Sequence, residues 1–211
     1  PETHHKPGRF RFHSETMKAA AMKMLLDSGA EVLLQTVATG AHVSGKNKVG
    51  GVDIANKSGC FPIKSKFVID CTADGDIAAS AGAKFMKGDP KDGRIQHVNF
   101  RYSIGGIDKD AFEENRPPPK EMRRIFQNAI KKGEIVPPVN LFAPSPEYFP
   151  YNAEKEQFSL AYWEIEKVDP SDAFAVSRTL AQCHAAAYDV ARFCSKNLPG
   201  YENAKIAHLP A

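Results

Sequence analysis

The sequence predicts an α+β chain: a small β-meander, a second sheet of antiparallel or mixed pairing, and flanking helices. Three observations carry this. Strand-like runs at 39–44, 49–55 and 60–69 follow one another through the turn-forming stretches GKNK and NKSG. Residues 95–104 alternate, with Val98, Phe100, Tyr102 and Ile104 on one face and His97, Asn99, Arg101 and Ser103 on the other. Late in the chain Ala173, Val176, Leu180, Cys183, Ala187, Val190 and Cys194 recur at a three-to-four spacing, the apolar stripe of a long helix.

The elements follow in order. Ser14 can cap a helix carrying Met17, Ala21, Met24 and Leu25 on one stripe, stopped by Gly29. A strand over 31–36 precedes the meander. After the meander comes VIDCTADGDIAASAGAKF (68–85), in which a strand runs into a turn and a short helix at about 76–82. Residues 87–94 (KGDPKDGR) read as a loop. Pro119 suits the first position of a helix with the stripe Met122, Ile125, Phe126, Ala129 and Ile130, ended by Gly133. Proline and aromatic residues over 134–154 predict an ordered irregular loop, and 157–168 a strand. Asp169-Pro170 opens the long helix, and a short segment at 204–208 closes the chain. Two regions result, 1–92 and 93–211.

Composition excludes several classes. The 211 residues are 42% hydrophobic and 25% charged, as in an ordinary globular protein able to bury a core. The net charge of +3 is mild and its basic residues are scattered, so nucleic acid is not an expected partner. No apolar run approaches a membrane span. Cys60, Cys71, Cys183 and Cys194 form neither a CxxC nor a zinc-like Cys–His spacing. They read as reduced thiols and favour a cytoplasmic setting, against which the sequon-like Asn56-Lys57-Ser58 is a weak sign. GxGxxG, GxxxxGK[ST], HExxH and GxSxG are all missing.

Asp70, Asp74 and Asp76 concentrate carboxylate at one strand end, with Gly75 between the last two. A metal site would need further oxygen ligands where the sequence continues in alanine. A glycosidase pair would need carboxylates on opposite sides of a sugar. A structural turn, with Asp74 capping the short helix, is one reading. A nucleotide cradle is the other, since small residues let backbone approach a ligand and an Asp accepts from sugar hydroxyls. No metal is expected. His97 and Arg101 could grip a carboxylate, or simply form the solvent face of a sheet. Cys183 and His184 point about 100° apart on a helix, so their adjacency makes no catalytic pair.

Several segments resemble, in order, the FAD-dependent oxidoreductases related to the fumarate reductase and succinate dehydrogenase flavoprotein subunits. MLLDSGAEVLLQT resembles that family's helix-to-strand passage, VDIANKSG its β-meander turn, and VIDCTADGDIAASAGAKF its VIDATGDGDxAAxAGAxF-like segment. RYSIGGID and LPGYENAKI resemble two later segments. The resemblance implies that Ala38 meets the adenine through its backbone. It also implies that Thr72, Ala73, Asp74, Gly75 and Asp76 lie against the flavin nucleotide. The family usually has Gly where this chain has Ala73, whose methyl narrows the room for backbone approach.

The resemblance further implies an internal portion of a flavoprotein, an incomplete FAD-binding domain without the GxGxxG unit that holds the pyrophosphate. Residues 1–92 would be partial FAD-binding region and 93–211 substrate or cap region. The parent reaction would be hydride transfer between a small organic substrate and flavin, with His97 and Arg101 as substrate contacts, and no catalytic acid or base is assigned. This chain alone would bind FAD weakly or not at all and be inactive. Faces normally covered would be exposed, and homo-oligomerisation through them would be an artefact of that exposure. The competing expectation is a binding or interaction domain that kept the fold and lost the cofactor.

Overall fold

The computed structural model describes residues 13–45, 48–141 and 159–210. They fall into two compact units that divide between Phe85 and Met86.

The first unit opens with α1 (Ser14–Asp27). Its cap is His13, whose Nδ1 accepts from the Thr16 amide at 3.4 Å, and Ser14 is the first helical residue. The stripe of this helix is exposed: Met24 is 73% and Leu25 46% accessible. The expected strand over 31–36 belongs to no sheet. A strand needs a neighbour, and none of the described residues pairs with this apolar segment. The meander itself follows as β1 (Val37–Val43), β2 (Val49–Asn56) and β3 (Gly59–Lys64), antiparallel in that order. Asn56 shapes the second turn, its side-chain oxygen accepting from the Ser58 amide at 2.8 Å. β3 stops at Lys64, short of the expected 69, and Phe67 and Ile69 lie exposed beyond it.

The second unit is built on β4 (Val98–Gly105), with β5 (Ser159–Ile165) on one side and β6 (Lys205–His208) on the other, all antiparallel. Phe100, Tyr102 and Ile104 are fully buried, as the alternation predicts. They pack beneath α5 (Ala173–Asn197), whose Cys183, Ala187, Val190 and Cys194 face the core. The helix is capped by Asp172, which accepts from the amides of Phe174 and Ala175, so it starts after Asp169-Pro170. The helix α3 (Lys109–Asn115) was not expected; Asp108 caps it through the Ala111 amide, and Phe112 meets Tyr201 edge-on at 5.2 Å. α4 (Pro119–Lys131) turns Met122, Phe126 and Ala129 inward, and Phe126 meets Phe193 of α5 at 5.7 Å. The loop expected over 134–154 lies from residue 142 onward outside the described residues.

Candidate functional site

In the first unit, the turn after residue 69 is organised by Asp70. Its Oδ1 accepts from the Thr72 amide at 3.0 Å and the Thr72 hydroxyl at 2.7 Å, while Oδ2 accepts from the Ala78 amide at 2.8 Å. The Thr72 hydroxyl in turn accepts from the Asp76 amide at 2.9 Å. The short helix α2 (Asp76–Ser80) is thus capped by Asp70 and Thr72 together. Asp74 has no part in it; the N-cap position is Gly75, in left-handed conformation without a side-chain bond. The hydroxyl of Thr72, then the amides of Thr72 and Ala78, hold the Asp70 carboxyl below the usual carboxylate range.

Ala73 and Gly75 have φ of 70° and 73°. Glycine adopts this conformation freely, and alanine does so at a cost of roughly 1–2 kcal/mol. The amides of Ala73, Asp74 and Gly75 donate to nothing among the described residues, and a Cβ added at Gly75 would meet open space. At its other end α2 docks on β1: the Ser80 hydroxyl accepts the Ala41 amide at 3.0 Å, and Gly40 leaves room for it. Ala38 stands earlier on the same strand, opposite Ile54, its side chain exposed.

These groups fit one portion of a flavin nucleotide better than another. Free amides at 73–75 suit acceptor atoms, and the carboxylates of Asp74 and Asp76 suit hydroxyl or ring N–H donors. A pyrophosphate suits them poorly. Two carboxylates stand beside the turn, and the amides of Asp76 and Ala78 at the start of α2 are already taken.

In the second unit, the pairing Val98↔Ile165 sets the residues before β4 beside those after β5. A cleft of about 410 Å³ opens there, lined by residues that include Arg94, His97, Glu166, Lys167 and Asp169. His97 is part of it, with Nδ1 at 3.7 Å from a Glu164 carboxylate oxygen. Arg94 pairs with Asp92 at 2.6 Å, and Lys87 with Asp169 at 2.7 Å. Arg101 is exposed on the outer face of β4 and does not line the cleft, so His97 and Arg101 are not brought to one cavity. Arg94 and Lys167 were missed in the sequence because only strand register makes them neighbours.

Cys183 is fully buried, and burial pushes its thiol up to about 12, the opposite of an activated nucleophile. Its neighbour His184 is exposed and placed 3.2 Å from the Pro210 carbonyl oxygen. Among the described residues no three His, Cys, Asp or Glu side chains gather as metal ligands, and no helix is long and apolar enough to cross a membrane.

Among the described residues, two antiparallel sheets, a tightly tied Asp-rich turn and an ionisable cleft make up an α+β protein. Against family models, residues 2–211 match the FAD dependent oxidoreductases. The chain belongs to that family, and flavin-linked redox function is the family's general business. No curated protein and no solved structure matches the chain.

Proposed function

We propose that this chain is the middle and substrate-facing part of an FAD-dependent oxidoreductase related to the fumarate reductase and succinate dehydrogenase flavoprotein subunits. The observation that carries the reading is the family match over residues 2–211. The turn at 72–76 supports it, since its amides at 73–75 have no partner among the described residues. On this reading Thr72, Ala73, Asp74, Gly75, Asp76 and the backbone of Ala38 serve the cofactor. Residues 1–92 form the cofactor side and 93–211 the substrate side. The pyrophosphate is held by a Gly-rich unit that these residues do not contain.

Bound FAD supplies the hydride chemistry. The chain's own residues bind and orient. Arg94 and Lys167 are the cleft's fixed cations, each paired with a carboxylate of the same lining (Asp92 at 2.6 Å, Glu166 at 3.6 Å), and an anionic group of a small organic substrate would bind there by exchanging with those partners. His97 lines the cleft wall, with its Nδ1 3.7 Å from a Glu164 carboxylate oxygen. Arg101, outside the cleft, is the weaker of the two substrate contacts. The four free thiols accord with a cytoplasmic setting.

Flavin absorbance is the test. The protein carrying this chain together with its Gly-rich unit should show an absorbance band near ~450 nm, as purified or after addition of FAD. Its complete lack after reconstitution refutes the reading.

A further inference from the structure

We infer that Asp70 is the positioning residue of the turn that faces the flavin: it sets the turn's shape without touching the cofactor. The inference rests on the reading of residues 72–76 as the flavin-facing turn. Asp70 cannot itself be a contact of much use, because both its oxygens are engaged by the chain's own donors. What it does is tie three points together. The end of the apolar run at 67–69, the start of the turn at Thr72 and the first turn of α2 at Ala78 all meet on one carboxylate. Thr72 extends the tie to Asp76 through its hydroxyl. The residues left between these anchors are Ala73, Asp74 and Gly75, and two of the three have positive φ.

The arrangement sorts the amides. Those of Thr72, Asp76 and Ala78 are consumed by the tie, and those of 73–75 are left for a ligand. An exposed pentapeptide holding two left-handed residues, one of them alanine, would relax without such a tie. Removing the carboxylate therefore frees the anchoring amides and lets the turn lose the shape that presents the others.

The test compares the wild-type chain with Asp70→Ala, Asp70→Asn and Thr72→Val, each first shown to be folded by far-ultraviolet circular dichroism and a cooperative melt. Amide exchange followed by NMR should accelerate about tenfold or more at Thr72 and Ala78 in Asp70→Ala. In Asp70→Asn it should accelerate at Ala78 and stay slower at Thr72, because the amide nitrogen cannot accept while the remaining oxygen can. Thr72→Val should free Asp76 while leaving Ala78 protected. In the protein carrying this chain together with its Gly-rich unit, FAD titration followed by visible circular dichroism should show affinity reduced about tenfold or more in Asp70→Ala, with Asp70→Asn between it and wild type. Exchange at Ala78 that does not change, or FAD affinity within about twofold of wild type in a folded Asp70→Ala, overturns the inference. A wild type that gives no flavin signal, reconstituted with its Gly-rich unit, refutes the cofactor reading and the flavin half of this inference with it. The exchange result then still decides whether Asp70 shapes the turn.

Discussion

Asp108 donates its backbone N–H to the carbonyl oxygen of Gly200 at 2.8 Å, and its own carbonyl oxygen stands where a Cβ on Gly200 would have to go. One bond thus joins the end of RYSIGGID to the start of LPGYENAKI, two segments far apart in sequence. Gly200 has φ of 75°, and a Cβ there would also come to 2.8 Å from the Phe112 amide nitrogen. Gly133 has a similar φ of 71° but open space around it. Gly133→Ala should therefore cost only the conformational strain less the unfolded-state entropy it removes, a net of about 0.5 kcal/mol. Gly200→Ala adds collision with backbone that cannot move aside, and should cost about 3 kcal/mol or more. Urea unfolding of the two variants checks this. Equal costs would mean that the contact at Asp108 yields easily.

The turn at Ala73 offers the reverse experiment. Its φ of 70° places an L-residue where glycine is at ease. Ala73→Gly removes strain of roughly 1–2 kcal/mol and adds unfolded-state entropy of roughly 0.5–1 kcal/mol. The net expectation is a gain of about 0.5 kcal/mol. Gly75→Ala in the same turn should lose about 0.5 kcal/mol, the same two terms with opposite sign, since its φ is positive and its Cβ meets nothing. Denaturant midpoints of the pair settle the sign of each.

The pairing of Lys87 with Asp169 sets a pH dependence. The Lys87 ammonium, then the Ser171 hydroxyl and amide, hold the Asp169 carboxyl at about 2 rather than the ordinary 3.8. A carboxyl lowered in the folded state stabilises fully above its unfolded value. That contribution is lost as the pH falls from 3.8 toward about 2. The pair is solvent-accessible, so the effect is small. Asp169→Asn should flatten the melting temperature against pH in that window, and Lys87→Ala should flatten it partly. A wild-type slope retained in Asp169→Asn would assign the acid response to other carboxyls.

The sequence made the meander, α4 and α5 legible, because each is written in local periodicity and local turn residues. It misjudged what depends on partners distant in sequence. Residues 31–36 have the composition of a buried strand, yet no described strand pairs with them. Asp74 looked like the cap of α2 because it sits nearest; Asp70 does the work because its carboxylate reaches across the turn to Ala78. Arg94 and Lys167 became neighbours only through the register of β4 on β5. His97 was expected on the strand with Arg101, but β4 begins only at Val98, so His97 lies in the segment before it that lines the cleft while Arg101 stays on the strand's exposed face.

Thiol chemistry should divide the cysteines evenly. Cys60 and Cys71 are exposed, while Cys183 and Cys194 are buried in the core. Burial raises both core thiols, Cys183 to about 12 and Cys194 further. An aromatic disulfide reagent at neutral pH should titrate two thiols rapidly in the native chain and the other two only on unfolding. Rapid reaction of three or four would show that α5 leaves the sheet readily.

The core of the second unit holds a cost that can be removed. The Tyr102 hydroxyl and the Trp163 indole N–H are both buried and have no hydrogen-bond partner among the described residues, with ring centroids 4.9 Å apart. A buried hydroxyl without a partner forfeits its hydration for nothing, at about 1–3 kcal/mol. Burial, with smaller contributions from Cys194 and Cys183, raises the Tyr102 phenol well above its ordinary 10.0. It therefore stays neutral in the fold, and this contribution to stability is lost as the pH rises past 10.0, where the unfolded chain ionises. Tyr102→Phe deletes the oxygen and keeps the ring. It should raise stability by about 1 kcal/mol at neutral pH and lessen the loss in alkali. Calorimetric melts of wild type and variant across that range measure both effects. A Tyr102→Phe chain that is less stable than wild type would show that the hydroxyl is satisfied after all, with a buried water bridging it to Trp163 as the first partner to look for.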